Sequence, residues 1–426
     1  MTDNKQNTNI NTQSTDVSTN INTNTDLLHF EQNDTCWISM DGLQTNLIEE
    51  LSGDFSHQIK LACFDFDNTL VRSKSGSLFA KDANDWILCF PNVKTKLQEL
   101  WQDGFQIVIF SNQMGVKTKK TSVEELIQKF TDFQKEIQVP LIVAFSTDDD
   151  YYRKPLTGMF VEVLVRIVVK TGIPGVVVAT NSFYCGDAAG RPKNWRPDAK
   201  KDFSRSDLYF AHNNKLDFRV PEQVFEDMPL DANTFVTDVY DNVNWEQLDG
   251  EAKAKSIKMG ENLSKNPRMV IMIGSPASGK STYAQTFAKE YPNTVIINMD
   301  TLKTKDKCLK KAKEAIKEGQ NIIVDNTNPA VATRKEYLDL VANHDPAYNT
   351  VAIWLDTPEE ISRHLNYLRV HQSHGEKRRI PPVAFGVFNK KFEEPTLDEG
   401  FHIIIRKTFP LKGKSLETVR EYKFDI

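Results

Sequence analysis

Short apolar segments alternate with helical stretches along most of the chain. In the first half these segments predict four strands, at Ile59–Phe64, Phe105–Phe110, Val139–Phe145 and Phe183–Cys185. In the second half they predict five strands, at Met269–Ile273, Thr294–Asn298, Asn321–Val324, Thr350–Leu355 and Phe401–Ile405. Continuous apolar strands with helices between them are typical of parallel sheets covered on both faces. The pattern therefore predicts an α/β protein with two doubly wound parallel-sheet domains.

The same pattern divides the chain into four regions. Residues 1–25 contain 14 Asn or Thr, and this composition predicts a disordered tail over residues 1–35, since there is little apolar surface to bury. The first α/β domain is predicted over residues 36–228 and the second over residues 267–426. Residues 229–266, acidic at first and then mixed and helical, are predicted to link them.

Composition limits the class of protein. The chain has 426 residues, 39% hydrophobic and 26% charged, which suits two or three domains and excludes wholesale disorder. No apolar run reaches the roughly 18 residues of a membrane span, and no signal pattern opens the chain, so we expect neither membrane insertion nor secretion. None of the five cysteines lies in a CxxC pair, which indicates a reducing compartment. With a net charge of −5, a nucleic-acid site must rest on local basic patches.

The segment Gly274–Ser281 matches the pattern G-x-x-x-x-G-K-[ST] in full. A predicted strand precedes it and a predicted helix, Ser281–Glu290, follows it. Glycines let backbone N–H groups close around phosphate oxygens, and the helix N-terminus adds partial positive charge. Lys280 is predicted to reach the β and γ phosphates of ATP, and Ser281 to bind Mg²⁺. The predicted ATP site comprises Gly274, Ser275, Ala277, Ser278, Gly279, Lys280, Ser281, Thr282 and Arg363.

Two aspartates follow predicted strands of the second domain, Asp300 and Asp325. In a P-loop enzyme one such carboxylate typically holds Mg²⁺ or its water, and another can accept the proton of an attacking hydroxyl. A hydroxyl acceptor favours a kinase over an ATPase. The structural alternatives are a helix N-cap at Asp300 and an Asx turn at Asp325.

A basic stretch, Arg363–Lys391, contains seven Lys or Arg and one acidic residue. Phosphoryl transfer needs cations near the γ-phosphate, often on a mobile lid, and Gly375 and Pro381 punctuate this stretch as a lid would. The alternative is a solvated basic face. Arg369 and Arg334 are further candidate cations of the second domain.

The first domain carries a pair of aspartates, Asp65 and Asp67, at the end of its first predicted strand. Side chains at i and i+2 of an extended segment point the same way. Like charges so close together raise one pKa, so one carboxyl can ionise while the other stays protonated. Asp65 can then attack phosphorus as a nucleophile, and Asp67 can act as general acid and base.

Further polar residues follow other strands of the first domain. Ser111 and Asn112, with Thr69, are predicted to bind phosphate, and Lys154 supplies the cation. Asp187 offers Mg²⁺ an oxygen ligand beside Asp65 and Asp67, and Asp202 is a candidate outer ligand. Each feature is weak alone, but four in order at strand ends predict a phosphatase site.

The order Asp65-x-Asp67-x-Thr69, Ser111, Lys154, Asp187 resembles the haloacid-dehalogenase-like phosphohydrolases. Longer strings look like the bifunctional polynucleotide kinase 3′-phosphatases, and these strings are Ser111–Gln113, Tyr184–Pro192, Lys201–Ser204 and Asp325–Pro329. The similarity extends from about Trp37 to the C-terminus, with the phosphatase before the kinase as in the eukaryotic DNA-repair enzyme.

The resemblance implies a haloacid-dehalogenase-like Rossmannoid domain followed by a P-loop NTPase domain. It implies removal of 3′-phosphates and ATP-dependent phosphorylation of 5′-hydroxyls on DNA ends, with Mg²⁺, in strand-break repair in the nucleus. Asp300 then activates the 5′-hydroxyl. Asn68 stands where many relatives have Gly, and its tolerance of left-handed backbone makes the replacement acceptable. No forkhead-associated module precedes the catalytic region, so scaffold recruitment is left unassigned. We expect a monomer.

Three functions compete: a DNA end-processing enzyme, a bifunctional enzyme acting on small metabolites or RNA ends, and a non-catalytic scaffold. The segment Arg191–Arg205 has six Lys or Arg against two acids. Trp195 and Phe203 lie within it as stacking surfaces. This basic strip favours a nucleic-acid strand, and the complete motifs argue against a scaffold.

Overall fold

The computed structural model describes residues 27–51, 57–77, 80–229, 268–407 and 419–424. Residues 1–26 of the predicted tail and nearly all of the predicted linker 229–266 lie outside the described residues. Within the described part of the chain, no helix is long and apolar enough to cross a membrane. The described residues form two α/β units, each on its own main sheet.

The described strands of the first unit are β1 Glu31–Asn33, β2 Cys36–Ser39, β3 Ile48–Glu50, β4 His57–Ile59, β5 Leu61–Phe64, β6 Val71–Arg72, β7 Ile87–Leu88, β8 Gln106–Asn112, β9 Leu141–Ser146, β10 Val176–Val178, β11 Phe183–Cys185 and β12 Asp217–Arg219. Seven form the main sheet in the order β1-β2-β9-β8-β5-β11-β12. Strands β9, β8, β5, β11 and β12 run parallel, and β2 joins β9 antiparallel. Strands β10, β4 and β3 form a small second sheet, and β6 pairs with β7.

The four predicted strands of this unit are confirmed as β5, β8, β9 and β11, and the ends of the first three differ from the prediction by one or two residues. Ile59 belongs to β4 rather than to β5. Ser111 lies within β8, which continues to Asn112, so it does not follow that strand as predicted. The central strands are buried on both faces. This explains why each one is a continuous apolar run.

Among the described residues, five α-helices pack around this sheet, namely α1 Val93–Gln102, α2 Val123–Ile137, α3 Gly158–Thr171, α4 Ser206–Asn213 and α5 Pro221–Phe225. Helix α2 begins at a capping box in which the Ser122 hydroxyl accepts from the backbone of Glu125 and the Glu125 carboxylate accepts from the backbone of Ser122. Its apolar face, including Phe130 and Phe133, packs on the sheet. The cap and this buried stripe fix where α2 begins and which face it buries.

The predicted disordered tail extends too far along the chain. Leu28 is buried, and its backbone N–H donates to the Thr131 hydroxyl at 3.0 Å. Phe30 packs against Phe130 and Phe145, and β1 pairs with β2. Residues 27–35 are therefore folded, because Leu28 and Phe30 supply the apolar surface that residues 1–25 lack.

The second unit is a five-stranded parallel sheet of β13 Arg268–Gly274, β14 Thr294–Ile297, β15 Asn321–Val324, β16 Asn349–Leu355 and β17 Ile403–Lys407. Their order is β14-β15-β13-β16-β17. All five predicted strands are confirmed, although β17 begins two residues later than expected. The described helices are α6 Lys280–Glu290, α7 Met299–Leu302, α8 Lys305–Lys317, α9 Val331–His344, α10 Glu359–Gln372 and α11 Pro382–Lys391.

A shared apolar cluster joins the two units. Tyr151 and Leu156 of the first unit pack with Leu368 of α10 and with Val419 and Phe424 near the C-terminus. Beside this cluster, the Asn213 side chain of α4 accepts from the Lys423 backbone at 2.8 Å and donates to it at 2.7 Å. The residues 419–424, which we call the C-terminal clamp, thus hold the second unit against the first.

Phe424 is 1% exposed in this cluster. We expect Phe424→Ala to lower the free energy of unfolding by about 3–5 kcal/mol, because a buried aromatic ring is removed. Chemical denaturation measures the change. Phe203→Ala is the control, because the Phe203 side chain is fully exposed and its loss is expected to change stability by no more than about 0.5 kcal/mol. Equal effects of the two substitutions would contradict the clamp.

Candidate active sites

The first site lies at the carboxyl ends of β5 and β11. The Asp65 backbone N–H donates to the Cys185 carbonyl at 2.8 Å, which fixes the turn out of β5. Carboxylate oxygens of Asp65, Asp187 and Asp207 all lie within 4.8 Å of one another. We call these three residues the acidic cluster. Parallel strands bring their carboxyl ends to one edge, which explains how residues so distant in sequence meet.

Lys154 is the cation at the centre of this site. Its buried Nζ donates to Asp65 Oδ1 at 2.5 Å, Asp207 Oδ1 at 2.8 Å and the Tyr184 hydroxyl at 2.8 Å. Burial opposes the charged form, but the carboxylates of Asp207 and Asp65 outweigh it and raise the pKa of Lys154. The lysine therefore stays protonated and compensates part of the buried negative charge.

Burial also changes the carboxyls. It raises the pKa of Asp65 to about 7, with a further rise from Asp207 and an opposing effect from Lys154. Burial likewise raises the pKa of Asp187 well above its usual value, and the negative charges of Asp65 and Asp207 add to this. Three carboxyls so close together favour a divalent cation, because its charge stabilises their ionised forms. An all-oxygen set suits Mg²⁺.

The predicted metal set needs three corrections. The Asp67 carboxylate lies outside the acidic cluster and accepts from Lys129 Nζ at 2.8 Å and Gln113 Nε2 at 2.7 Å. Asp202 pairs with Arg191 Nε at 2.8 Å and accepts backbone N–H groups at Ala189 and Arg191, so it holds the loop after Asp187. Asp207 takes the place that Asp202 was assigned.

Asp207 and Lys129 were missed by sequence reasoning. Asp207 lies five residues after Asp202, in the first turn of α4, and nothing local in the sequence distinguishes it from Asp202. Lys129 carried no signal, because it lies in the middle of an ordinary amphipathic helix. Only the fold brings it to Asp67.

The predicted phosphate-binding residues surround the acidic cluster. The Thr69 hydroxyl accepts from the Asp187 backbone at 3.1 Å, and the Ser111 hydroxyl accepts from Gln113 Nε2 at 2.7 Å. The Asn112 side chain is engaged differently, since it accepts from the Lys154 N–H at 3.0 Å and donates to the Lys154 carbonyl at 3.2 Å. Asn112 therefore positions the lysine. Asn68 has φ 64°, the left-handed backbone expected from its place in the motif.

The second site is the loop between β13 and α6. Lys280 Nζ donates to the Gly274 carbonyl at 3.0 Å and the Ser275 carbonyl at 2.5 Å. A Cβ at Gly274 would lie 2.7 Å from the Ser278 hydroxyl and 2.9 Å from the Leu355 carbonyl, so only glycine fits there. Ala277 and Gly279 have positive φ, and Ser281 and Thr282 are exposed in the first turn of α6. This is the folded form that the motif predicts.

Two aspartates lie near this loop. Asp325 is buried directly after β15 and accepts from Asn298 Nδ2 at 3.1 Å. Asp300 is exposed in the first turn of α7. The N-cap of this helix is Asn298, whose Oδ1 accepts from the Asp300 backbone N–H at 2.8 Å. The N-cap alternative for Asp300 is therefore wrong, and its side chain remains open to solvent.

The three candidate arginines differ in their surroundings. Arg334 is fully buried, forms a bidentate ion pair with Glu399 at 2.7 Å and donates to the Asn328 carbonyl at 3.2 Å. It therefore stabilises the fold and is removed from the candidate site residues. Arg363 pairs with Glu359 one turn earlier on α10 at 2.6 Å. Burial lowers the pKa of Arg369, and the negative charge of Asp300 opposes this. Arg369 is thus the candidate arginine that interacts electrostatically with Asp300.

The comparisons with known proteins give a family match to each of the two units. Residues 60–225 match the family model described as polynucleotide kinase 3 phosphatase, and residues 269–395 match an AAA domain model. The bifunctional polynucleotide phosphatase/kinase of Schizosaccharomyces pombe is 33% identical over 347 residues, which cover 80% of this chain and 78% of that protein. The chain belongs to the bifunctional polynucleotide phosphatase/kinase family. It is therefore an enzyme with a phosphatase domain and a P-loop kinase domain.

Two other members of the comparison are informative. A putative bifunctional polynucleotide phosphatase/kinase of Acanthamoeba polyphaga mimivirus is 30% identical, covering 88% of this chain and 90% of its own. The polynucleotide 3′-phosphatase of Saccharomyces cerevisiae is 29% identical over 219 residues, covering 40% of this chain and 88% of its own. The family thus includes chains with both domains, and a relative matches over the phosphatase part.

Lys280 generates a testable pH effect. Burial lowers its pKa to about 8, although Asp325 and Asp300 act in the opposite direction. Phosphates of bound ATP favour the charged lysine, so its pKa rises on binding. At pH 8.5 we expect ATP binding to take up a proton, and below about pH 7 we expect no uptake at this lysine because it is already protonated. Calorimetry in two buffers of different ionisation enthalpy measures the uptake. Lys280→Arg, always protonated, is the control, and a heat independent of buffer at pH 8.5 would refute the assignment.

Proposed function

We propose that this enzyme repairs broken DNA ends in the nucleus. It removes 3′-phosphates through an aspartyl-phosphate intermediate and transfers the γ-phosphate of ATP to 5′-hydroxyls. The observation that carries the proposal is the presence in one chain of a buried Asp65–Lys154 pair within an acidic cluster and a complete phosphate-binding loop around Lys280. The relatives named as polynucleotide phosphatase/kinases support the substrate class.

In the proposed phosphatase reaction an Asp65 oxygen forms a bond to phosphorus while the bond from phosphorus to the 3′-oxygen breaks. Asp67, nearly half exposed to solvent, gives its proton to the leaving oxygen and afterwards takes one from the attacking water. Lys154, Thr69 and Ser111 surround the phosphate oxygens. Asp65, Asp187 and Asp207 would hold Mg²⁺, which when bound neutralises charge on the phosphate and the cluster.

In the proposed kinase reaction Lys280 releases the carbonyls of its own loop and faces the β and γ phosphates. Asp300, exposed beside the loop, accepts the proton of the 5′-hydroxyl, and Arg369 offsets the negative charge that collects there. Ser281 and Asp325 would hold Mg²⁺ of the nucleotide. The basic stretch Arg363–Lys391, which forms most of α10 and all of α11 rather than a mobile lid, supplies further cations.

The surface beside the phosphatase site supports a polynucleotide over a small metabolite. Lys200 and Lys201 are exposed, as is the whole ring of Phe203. The Trp195 ring lies under Arg191 and Arg196, with guanidinium-to-centroid distances of 4.0 and 4.8 Å. Exposed lysines and one exposed ring in the same strip match the backbone and bases of a single strand, whereas the Trp195 ring is half-buried and lies against the two guanidinium groups. A small metabolite makes no use of such a strip.

The two activities should separate by mutation. We expect Asp65→Asn to reduce 3′-phosphatase activity by several orders of magnitude and to leave 5′-kinase activity intact, because a covalent nucleophile is lost. Lys280→Ala is expected to do the reverse. Both activities are measured on labelled oligonucleotides with Mg²⁺ and ATP. Residual phosphatase activity above about 1% in Asp65→Asn would exclude Asp65 as the nucleophile.

The basic strip Arg191–Arg205 should contribute to the binding of long substrates only. We expect charge reversal at Lys200 and Lys201 to weaken phosphatase action on an oligonucleotide far more than on a 3′-mononucleotide. Loss of two backbone contacts should flatten the slope of log affinity against log salt by roughly 1.4. The measurement is kcat/KM for both substrates across a salt series. Charge reversal at Lys310 and Lys311, an exposed pair on α8 of the kinase domain, is the control, and equal losses on both substrates would show that the strip only supports the fold.

A further inference from the structure

Both oxygens of the Asp67 carboxylate are held by side chains from two different elements. Lys129 Nζ, on α2, donates to Oδ1 at 2.8 Å. Gln113 Nε2, just after β8, donates to Oδ2 at 2.7 Å. The same Gln113 nitrogen lies 2.7 Å from the Ser111 hydroxyl, so this network joins Asp67 to a predicted phosphate-binding group. A carboxylate held at both oxygens has a fixed direction within the cleft.

Lys129 occupies an unusual position for a lysine. It lies on the buried face of α2, next in sequence to the core residue Phe130, and its side chain is only 8% exposed. Its Nζ also lies 5.0 Å from the centroid of the Phe66 ring. Burying an ammonium costs free energy, and an apolar side chain of similar size generally serves stability as well or better. The fold alone therefore gives no reason for a lysine here.

The ion pair is asymmetric. The Lys129 cation is buried, whereas the Asp67 side chain is 45% exposed toward solvent. A substrate can thus reach the carboxylate while the cation stays behind it in the protein. This arrangement suits a group that must exchange protons with a substrate, because the cation acts on the carboxylate without touching the substrate.

We propose that Lys129 is a positioning residue of the phosphatase reaction, which directs the Asp67 carboxylate toward the substrate. The inference rests on the proposed function of Asp67. In the first step the Asp65–phosphorus bond forms, the bond to the 3′-oxygen breaks, and the Asp67 proton passes to that oxygen. In the second step a water oxygen binds phosphorus, the Asp65–phosphorus bond breaks, and the water proton passes to Asp67.

In the second step the Asp67 carboxylate must face the attacking water, and Lys129 is one of the two side chains that hold it in a fixed direction. Loss of Lys129 is therefore expected to slow hydrolysis of the aspartyl phosphate more than its formation. With p-nitrophenyl phosphate the leaving group needs no proton, so the first step depends little on Asp67. The two steps can then be observed separately.

The test is Lys129→Met in the full-length enzyme. We expect kcat on a 3′-phosphate oligonucleotide to fall about 10²-fold, the size typical of a misdirected catalytic group, with KM little changed. With p-nitrophenyl phosphate we expect a burst of one nitrophenolate per enzyme before a slow steady state. Lys129→Arg should restore much of the activity. Lys135→Met, at an exposed lysine of the same helix, is the matched control, and 5′-kinase activity with the melting temperature reports folding.

Several results would overturn the inference. Wild-type kcat in Lys129→Met, or a loss without a burst and without rescue by Lys129→Arg, would do so while the proposed function stands, provided that Asp67→Asn is inactive. If Lys129→Met does not fold, Gln113→Met removes the other donor, and full activity without a burst in that variant contradicts the network. The proposed function itself fails only if the wild-type enzyme releases no phosphate from 3′-phosphate ends.

Discussion

The phosphatase domain is organised around one buried cation, the ammonium of Lys154. Asp65 and Asp207 contact it directly, and its loop is fixed by Asn112 on one side and by Asn213, which donates to the Pro155 carbonyl at 2.9 Å, on the other. Removing one partner of a buried pair leaves the others uncompensated, at a cost of about 3–5 kcal/mol. The proposed nucleophile Asp65 and the proposed metal ligand Asp207 therefore both depend on a single side chain.

The buried lysine of the kinase domain has different partners. Lys280 is also buried, but its Nζ is bound to the carbonyls of Gly274 and Ser275 instead of a carboxylate. Carbonyls compensate an ammonium only in part, which agrees with the lowered pKa of this lysine. The charge of Lys154 is thus compensated by carboxylates of the protein, whereas the charge of Lys280 is available to an anionic ligand. This difference explains why a phosphate-binding loop can bind a highly charged nucleotide tightly.

Much of this could be read from the sequence, for identifiable reasons. Buried parallel strands are continuous apolar runs, so β5, β11 and all five strands of the kinase sheet were visible, and the residues at their ends gave Asp65, Lys280 and Asp187. The errors in the candidate sites have one common cause, because each depends on which partner a polar side chain binds. Nothing local distinguishes Asp207 from Asp202, or shows that Arg334 faces Glu399. Such pairings arise from contacts between distant segments.

The clamp at residues 419–424 has an evolutionary consequence. It covers the apolar surface formed by Tyr151 and Leu156, which precede and follow Lys154 in the sequence. A descendant that lost the kinase domain would uncover this surface beside its remaining active site, and exposed apolar patches promote aggregation. Loss of one domain would therefore have to be accompanied by polar replacements at those two positions. Because of the clamp, loss of the kinase domain changes the surface chemistry of the phosphatase domain as well as the activity of the protein.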